Sequence, residues 1–281
     1  MNKTSKVVLS HGYQEEDFVR VSSRKAFRKG RRKSKIPEPT LLELENELKS
    51  CPFGESVFAL LKDSLNTLNV DGIAEILCYG LGRYSQRRAP KYQLALLMHL
   101  KDYYGVPAFL YDPSFSIKEI ELLEKLGFQV IDTNEEGKRT VNDKVTLIFL
   151  PHCPHYLTNN FFYANWSRDL CNCILIANSI TNVVSDTKFN NMSNSFLGRI
   201  KPFMLETTLI SHTKKTELKY SILRAFNSTS IHIFPEHIMN SLSAAFWAAR
   251  EEPMYSSDDE LITVEKTKGL RTKDKVPSIS S

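Results

Sequence analysis

Five residues in this sequence fall at or just beyond the ends of four short apolar runs. Gly80 and Gly82 follow residues 73–79 (IAEILCY), Asp112 follows 107–111 (PAFLY), His152 follows 145–150 (VTLIFL), and Asn178 follows 172–177 (NCILIA). If the runs are parallel strands, their carboxyl ends point the same way and these residues converge on one edge of a sheet, where ligands bind. Each brings a distinct chemistry. Glycines let the chain turn sharply and bring backbone N–H groups close to a ligand. The G-x-G-x-x-G fingerprint is incomplete, because Ser85 stands at its third glycine position. A carboxylate at the end of a second strand can accept hydrogen bonds from a ribose diol. Asp112 lies thirty residues beyond Gly82, further than the usual spacing of roughly twenty. Its other reading is an Asp-Pro turn capping the next helix.

Arg83, Arg87, Arg88 and Lys91 crowd the loop after the glycines. Such a loop binds phosphate or a nucleotide, or is simply solvated. It suits a neutral or anionic ligand better than cationic S-adenosylmethionine. The segment PHCPH suggests zinc or a Cys–His pair, but adjacent His152 and Cys153 do not easily face one metal. A proline-stiffened strand exit accounts for it, and no metal site is expected. Cys171 and Cys173 read as small core residues. Asn159, Asn160, Asn165 and Trp166 fall on or after a helix, and Asn227, Ser228 and Thr229 form a polar turn before a late strand. No catalytic constellation or cofactor emerges from these residue types.

The elements that must position these groups follow from periodicity. Helices are expected from Thr40 and from about Glu55, with leucines at helical spacing. Strands at 73–79, 107–111, 128–132, 145–150 and 172–177 alternate with helices at 92–104, 116–126 and 157–170. Ser116 and Glu119 form a capping box, and Gly105 and Gly127 serve as helix stops. Strands apolar on both faces and joined by helices imply a mainly parallel sheet with right-handed crossovers. Two later strands (203–210 and 230–234) flank a helix at about 216–226. The expectation is an α/β, Rossmann-like fold with helices on both faces and a methyltransferase-like strand count. Its organisation is a basic disordered tail to residue 37, a helical lead-in over 38–70, the Rossmann-type domain over 71–237, a helix over 238–252 and a second disordered tail over 253–281.

Charge is distributed unevenly. The chain carries a net +5, yet residues 24–35 (RKAFRKGRRKSK) hold eight basic residues and no acidic one, so the remainder is net −3. A nucleic-acid surface on the folded body would need basic residues there as well. The basic run reads either as a nuclear-import signal or as a solvated tail. Residues 1–10 have no apolar signal-peptide core, and no apolar run is long enough to cross a bilayer. Five cysteines without an export signal read as reduced thiols. These features point to a cytoplasmic protein, with the nucleus open to it.

Three groups of residues together resemble a known family. They are YGLG (79–82) with QLA (93–95), then YDPSFS (111–116) with its following helix, and then LIFLPHCP, NNFFYANW and LIANS in that order. Over about residues 73–234 the chain is similar to the SRR family, named for sensitivity to red light reduced. The resemblance implies regulation. In plants the family is associated with circadian-clock input and light signalling, and animal relatives are linked to clock-gene expression and haem metabolism. No catalytic residues come with it. The expected function is a regulator acting through protein partners or a nucleotide-like small molecule. The alternative is a Rossmann-like transferase, such as a methyltransferase using S-adenosylmethionine.

Overall fold

Thr40 opens the first helix with a capping box: its side chain accepts from the Glu43 N–H, and the Glu43 carboxylate accepts from the Thr40 N–H. The computed structural model describes residues 38–141, 143–186, 195–210 and 219–255. Helices α1 (Leu41–Lys49) and α2 (Pro52–Leu68) precede strand β1 (Glu75–Tyr79). Then follow α3 (Arg88–Tyr104), β2 (Ala108–Tyr111), α4 (Ile117–Lys125), β3 (Gln129–Val130), β4 (Thr146–Leu150), α5 (His155–Ala164) and β5 (Cys173–Asn178). The chain continues through α6 (Ile180–Ser185), α7 (Phe196–Ile200), β6 (Leu205–Thr208), α8 (Tyr220–Phe226), β7 (Thr229–Ile233), α9 (Glu236–Ser241) and α10 (Ala244–Ala248).

The strands form one sheet in the order β3-β2-β1-β4-β5-β7-β6. The first five run parallel, and β7 lies antiparallel to both β5 and β6. This is the mainly parallel α/β sheet expected from the sequence, in a methyltransferase-like order. Strand side chains alternate between two apolar layers. Ile76, Cys78, Leu147, Phe149, Ile174 and Ile176 pack with α1, α2, α3 and α8. Leu77, Tyr79, Ile148, Leu150, Leu175 and Ala177 pack with α5, α7 and α9. Phe53 of α2 stacks on Phe226 of α8 at 4.8 Å between ring centroids, which ties the lead-in helices into the first layer. Burying each such side chain stabilises by about 1.5–3 kcal/mol.

The layering sets a switch point. The helices after β1 and β2 lie on the first face, and the helix after β4 lies on the second. β1 and β4 are neighbours, so the chain leaves their adjacent carboxyl ends in opposite directions. A crevice opens there.

Several elements differ from the expectation. α3 starts at Arg88 rather than at 92, because its first turn is basic and carries no apolar periodicity. β3 is two residues long, since only Gln129 and Val130 pair with β2. The helix expected over 157–170 is α5 alone. It stops at Asn165, and a 3-10 turn (Arg168–Asn172) capped by Ser167 follows. The helix expected over 238–252 is broken into α9 and α10 by extended Leu242, with Ser243 capping the second. The tail expected from 253 is held as far as Tyr255, whose ring packs on Tyr156. The basic run at 24–35, the tail beyond 255 and the start of the helix expected at 216 lie outside the described residues.

Candidate functional site

The turn after β1 is built on two left-handed glycines. Gly80 (φ +69°) donates its N–H to the Tyr111 carbonyl at 3.1 Å. A Cβ at Gly80 would stand 2.6 Å from the Cys153 sulfur, so the turn and the exit of β4 meet in van der Waals contact. Gly82 (φ +78°) donates its N–H to Asp112 Oδ2 at 2.6 Å. The other Asp112 oxygen accepts from the Ser114 N–H at 2.8 Å. Glu119 anchors the next stretch: its Oε1 accepts from the N–H and hydroxyl of Ser85, and its Oε2 from those of Ser116.

The exit of β4 is equally fixed. His152 has a left-handed backbone (φ +58°), a costly conformation for a non-glycine residue. Asn178 at the end of β5 holds it there. Its Oδ1 accepts from the His152 N–H at 2.9 Å, and its Nδ2 donates to the Cys153 carbonyl at 2.7 Å. The exposed imidazole reaches the Asn227 carbonyl through Nε2 at 3.0 Å, a geometry that places the ring proton on that nitrogen.

Between these turns lies a cleft of about 630 Å³. Gly80, Gly82 and His152 line it, along with Arg87, Arg88 and Gln93 of the α3 entry and Tyr220, Ser221 and Arg224 of α8. Of the five residues singled out at strand ends, three form its wall. Asp112 and Asn178 do not line it. Their polar atoms bond Gly82, Ser114, His152 and Cys153, so they shape the two turns from behind. The α8 residues were missed by sequence reasoning: they lie about 140 residues beyond Gly80, and only the packing of α8 on α3 (Gln93 Nε2 donates to the Ala225 carbonyl at 2.9 Å) brings them in.

The chemistry available in the cleft is recognition of an anion. Three guanidinium groups line it, and among the described residues no Asp or Glu does. Cys153 is unsuited to nucleophilic work. It is buried beneath Gly80 with its thiol on the Tyr79 carbonyl at 3.1 Å. Burial, with the nearby Asp112 charge, pushes its thiol well above the ordinary cysteine range; the nucleophile would be the thiolate. Cys173 is likewise a buried core residue. Among the described residues, no three His, Cys, Asp or Glu side chains gather to hold a metal ion, and no helix is long and apolar enough to cross a membrane.

Comparison with known proteins gives consistent matches. The SRR1 domain family matches residues 44–233. The chain is 39% identical over 103 residues to an SRR1-like protein of Mus musculus, covering 36% of this chain and 41% of the mouse protein. It is 31% identical over 200 residues to an SRR1-like protein of Drosophila melanogaster, covering 69% and 67% of the two chains. To the protein SENSITIVITY TO RED LIGHT REDUCED 1 of Arabidopsis thaliana it is 28% identical over 172 residues, covering 60% and 61%. The matched stretch thus spans less than half of the mouse protein. Among solved structures, a mutant of MtNAS in complex with S-adenosylmethionine aligns with a TM-score of 0.37 and 13% identity, covering 69% of this chain and 71% of that one.

Proposed function

The chain belongs to the SRR1 domain family, and from that premise we propose that it is a regulator of light- and clock-linked signalling whose working part is the cleft between β1 and β4. The observation that carries this reading is positional: every residue lining the cleft lies within the stretch, 44–233, that the family shares. The cleft accepts a nucleotide-like small molecule, and its occupancy alters what the surrounding surface presents to protein partners. The output is circadian input, with haem metabolism as the second process tied to it, in the cytoplasm and the nucleus.

A transferase acting on S-adenosylmethionine is the competing reading, and the methyltransferase-like strand order favours it. The lining of the cleft weighs against it. A sulfonium cation would enter a concavity with three arginines, while the Asp112 carboxylate is turned onto Gly82 and Ser114. Deleting the gene in cells carrying a rhythm reporter tests the regulatory role. Loss should damp the rhythm or shift its period, and the wild-type gene should restore it. A rhythm indifferent to deletion overturns the proposal. Methyl transfer from labelled S-adenosylmethionine by the purified protein would establish the competitor instead.

A further inference from the structure

Among the described residues, five of the eight arginines meet a carboxylate or a backbone carbonyl. Arg139 is paired with Glu135 at 2.9 Å and Arg83 approaches Glu119 at 3.9 Å. Arg199 donates to the carbonyls of Ala249 and Phe246 and stacks on Trp166. The three arginines of the cleft are exposed, with Arg88 beside the Tyr92 hydroxyl and Arg224 over the Tyr220 ring. Among the described residues, none of Arg87, Arg88 and Arg224 forms an ion pair with a carboxylate. They face one concavity, on a body whose net charge outside the 24–35 run is negative. General basicity therefore does not explain them.

The backbone adds to the same field. α3 is 17 residues long and enters the cleft with its N-terminus. That end carries partial positive charge and favours acidic residues. Here the first turn has no acidic residue, the cap position is Arg87, and no side chain caps the helix. Placing cations on the positive end of a helix is locally unfavourable, and such violations concentrate at functional sites. A doubly charged anion resting on this turn would offset both terms, and guanidinium groups match phosphate oxygens in two-pronged bonds.

We infer that the cleft takes its ligand by a phosphate group, held between the first turn of α3 and Arg224 of α8, and that the ligand is a nucleoside phosphate. This rests on the reading of the cleft as a small-molecule site and names its ligand class. The volume of about 630 Å³ is that of a small-molecule pocket. Beyond the arginines, Tyr220 leaves 73% of its surface exposed next to Arg224, and an exposed ring of this kind offers a stacking face to a base. The phosphate would bridge two elements joined through the Gln93–Ala225 hydrogen bond, so binding would tighten the contact of α3 with α8.

Calorimetric titration of the full chain with AMP, ATP, inorganic phosphate, adenosine and S-adenosylmethionine tests this. Nucleoside phosphates should saturate one site and weaken as salt rises. Adenosine should bind roughly tenfold or more weakly, the effect of losing charge-assisted bonds. Arg88→Ala and Arg224→Ala should each weaken nucleotide binding by a similar factor, with the melting temperature of the free protein unchanged. Adenosine or S-adenosylmethionine binding as tightly as the nucleotides would overturn the phosphate inference and leave the small-molecule reading standing. Nucleotide binding indifferent to both substitutions would place the site elsewhere and overturn the inference. Failure of every compound to bind would overturn the small-molecule reading with it, whatever the rhythm assay gives.

Discussion

The two sides of β4 hold polar residues under opposite conditions. On the α5 side, Asn159, Asn160 and Asn165 are buried, and each is bonded at both ends of its amide. Asn160 Nδ2 donates to the Glu136 carbonyl and its Oδ1 accepts from the Tyr255 hydroxyl. Asn159 Nδ2 donates to that same hydroxyl, and its Oδ1 accepts from the Leu197 N–H. On the α3 side, Arg87, Arg88 and Arg224 face a cleft without carboxylates among the described residues. The difference separates two uses of polarity. Buried amides with complete sets of partners hold irregular backbone in place. Cations gathered around a concavity without carboxylates are open to an anion from outside.

The sharpest break between the two sides should appear in stability. Asn165 Oδ1 accepts from the Val141 N–H at 2.7 Å, and its Nδ2 donates to the carbonyls of Arg139 and Phe161 at 3.0 and 2.9 Å. Asn165→Ala leaves the Val141 N–H and the Arg139 carbonyl without partners, while the Phe161 carbonyl keeps the backbone N–H of residue 165; it should destabilise the chain by about 2–3 kcal/mol, each unsatisfied group costing on the order of 1–3. Urea unfolding measures it. A loss below about 1 kcal/mol would mean that the amide side of the comparison is wrong, and that water replaces these bonds readily.

An intermediate effect is expected where the two conditions meet. Glu119 is buried at the start of α4 and holds the loop that leads to the cleft arginines. Burial alone would raise its pKa, but the bonds from Ser116 and Ser85 outweigh it and hold the carboxyl below its ordinary value of 4.5. A depressed folded value means that the stabilisation is complete above the unfolded pKa and is lost as the pH falls through the folded one. Glu119→Gln should cost about 2 kcal/mol at neutral pH, and the gap to wild type should close as the solution is acidified. Melting curves that stay parallel down to about pH 3 would show that the carboxylate charge contributes nothing at this corner.

How much of this was legible in the sequence depends on distance along the chain. The βα alternation was, because strands buried on both faces are continuous apolar runs and the helices between them carry stops such as Gly105 and Gly127. Ser116 and Glu119 gave the start of α4 by spacing alone. The place of Asp112 and Asn178 at strand ends was legible, but their use was not: whether a carboxylate turns toward a ligand or onto the Gly82 N–H is decided by a loop thirty residues away. Arg224 and Tyr220 had no local signal, since α8 reads as an ordinary short helix. The α5 asparagines stood out as a motif, yet their partners in 136–141 and at Tyr255 are tertiary. The arginine-rich start of α3 reads as a loop in the sequence, because the residue types that end a helix comfortably occupy its beginning.

That inverted helix start gives the smallest effect and the one with the least intuitive sign. Arg87 occupies the cap position of α3 with extended backbone (φ −127°, ψ 134°) and no side-chain cap bond. Aspartate fits this conformation and accepts from the second N–H of the helix, that of Ala89; the third position is Pro90, which has none. It also places a negative charge on the positive end of the helix. Arg87→Asp should therefore stabilise the ligand-free protein by about 0.5–1 kcal/mol, read as a higher urea midpoint at unchanged slope. The same substitution should weaken binding of a nucleoside phosphate, since it removes one cation and adds an anion where the phosphate would rest. Opposite signs in the two measurements are what a functional cation predicts: the residue is kept at a cost to the fold. A variant that is less stable and still binds would mean that Arg87 supports the structure as the amides of α5 do, and the contrast between the two sides of β4 would fail at the residue where it is most exposed.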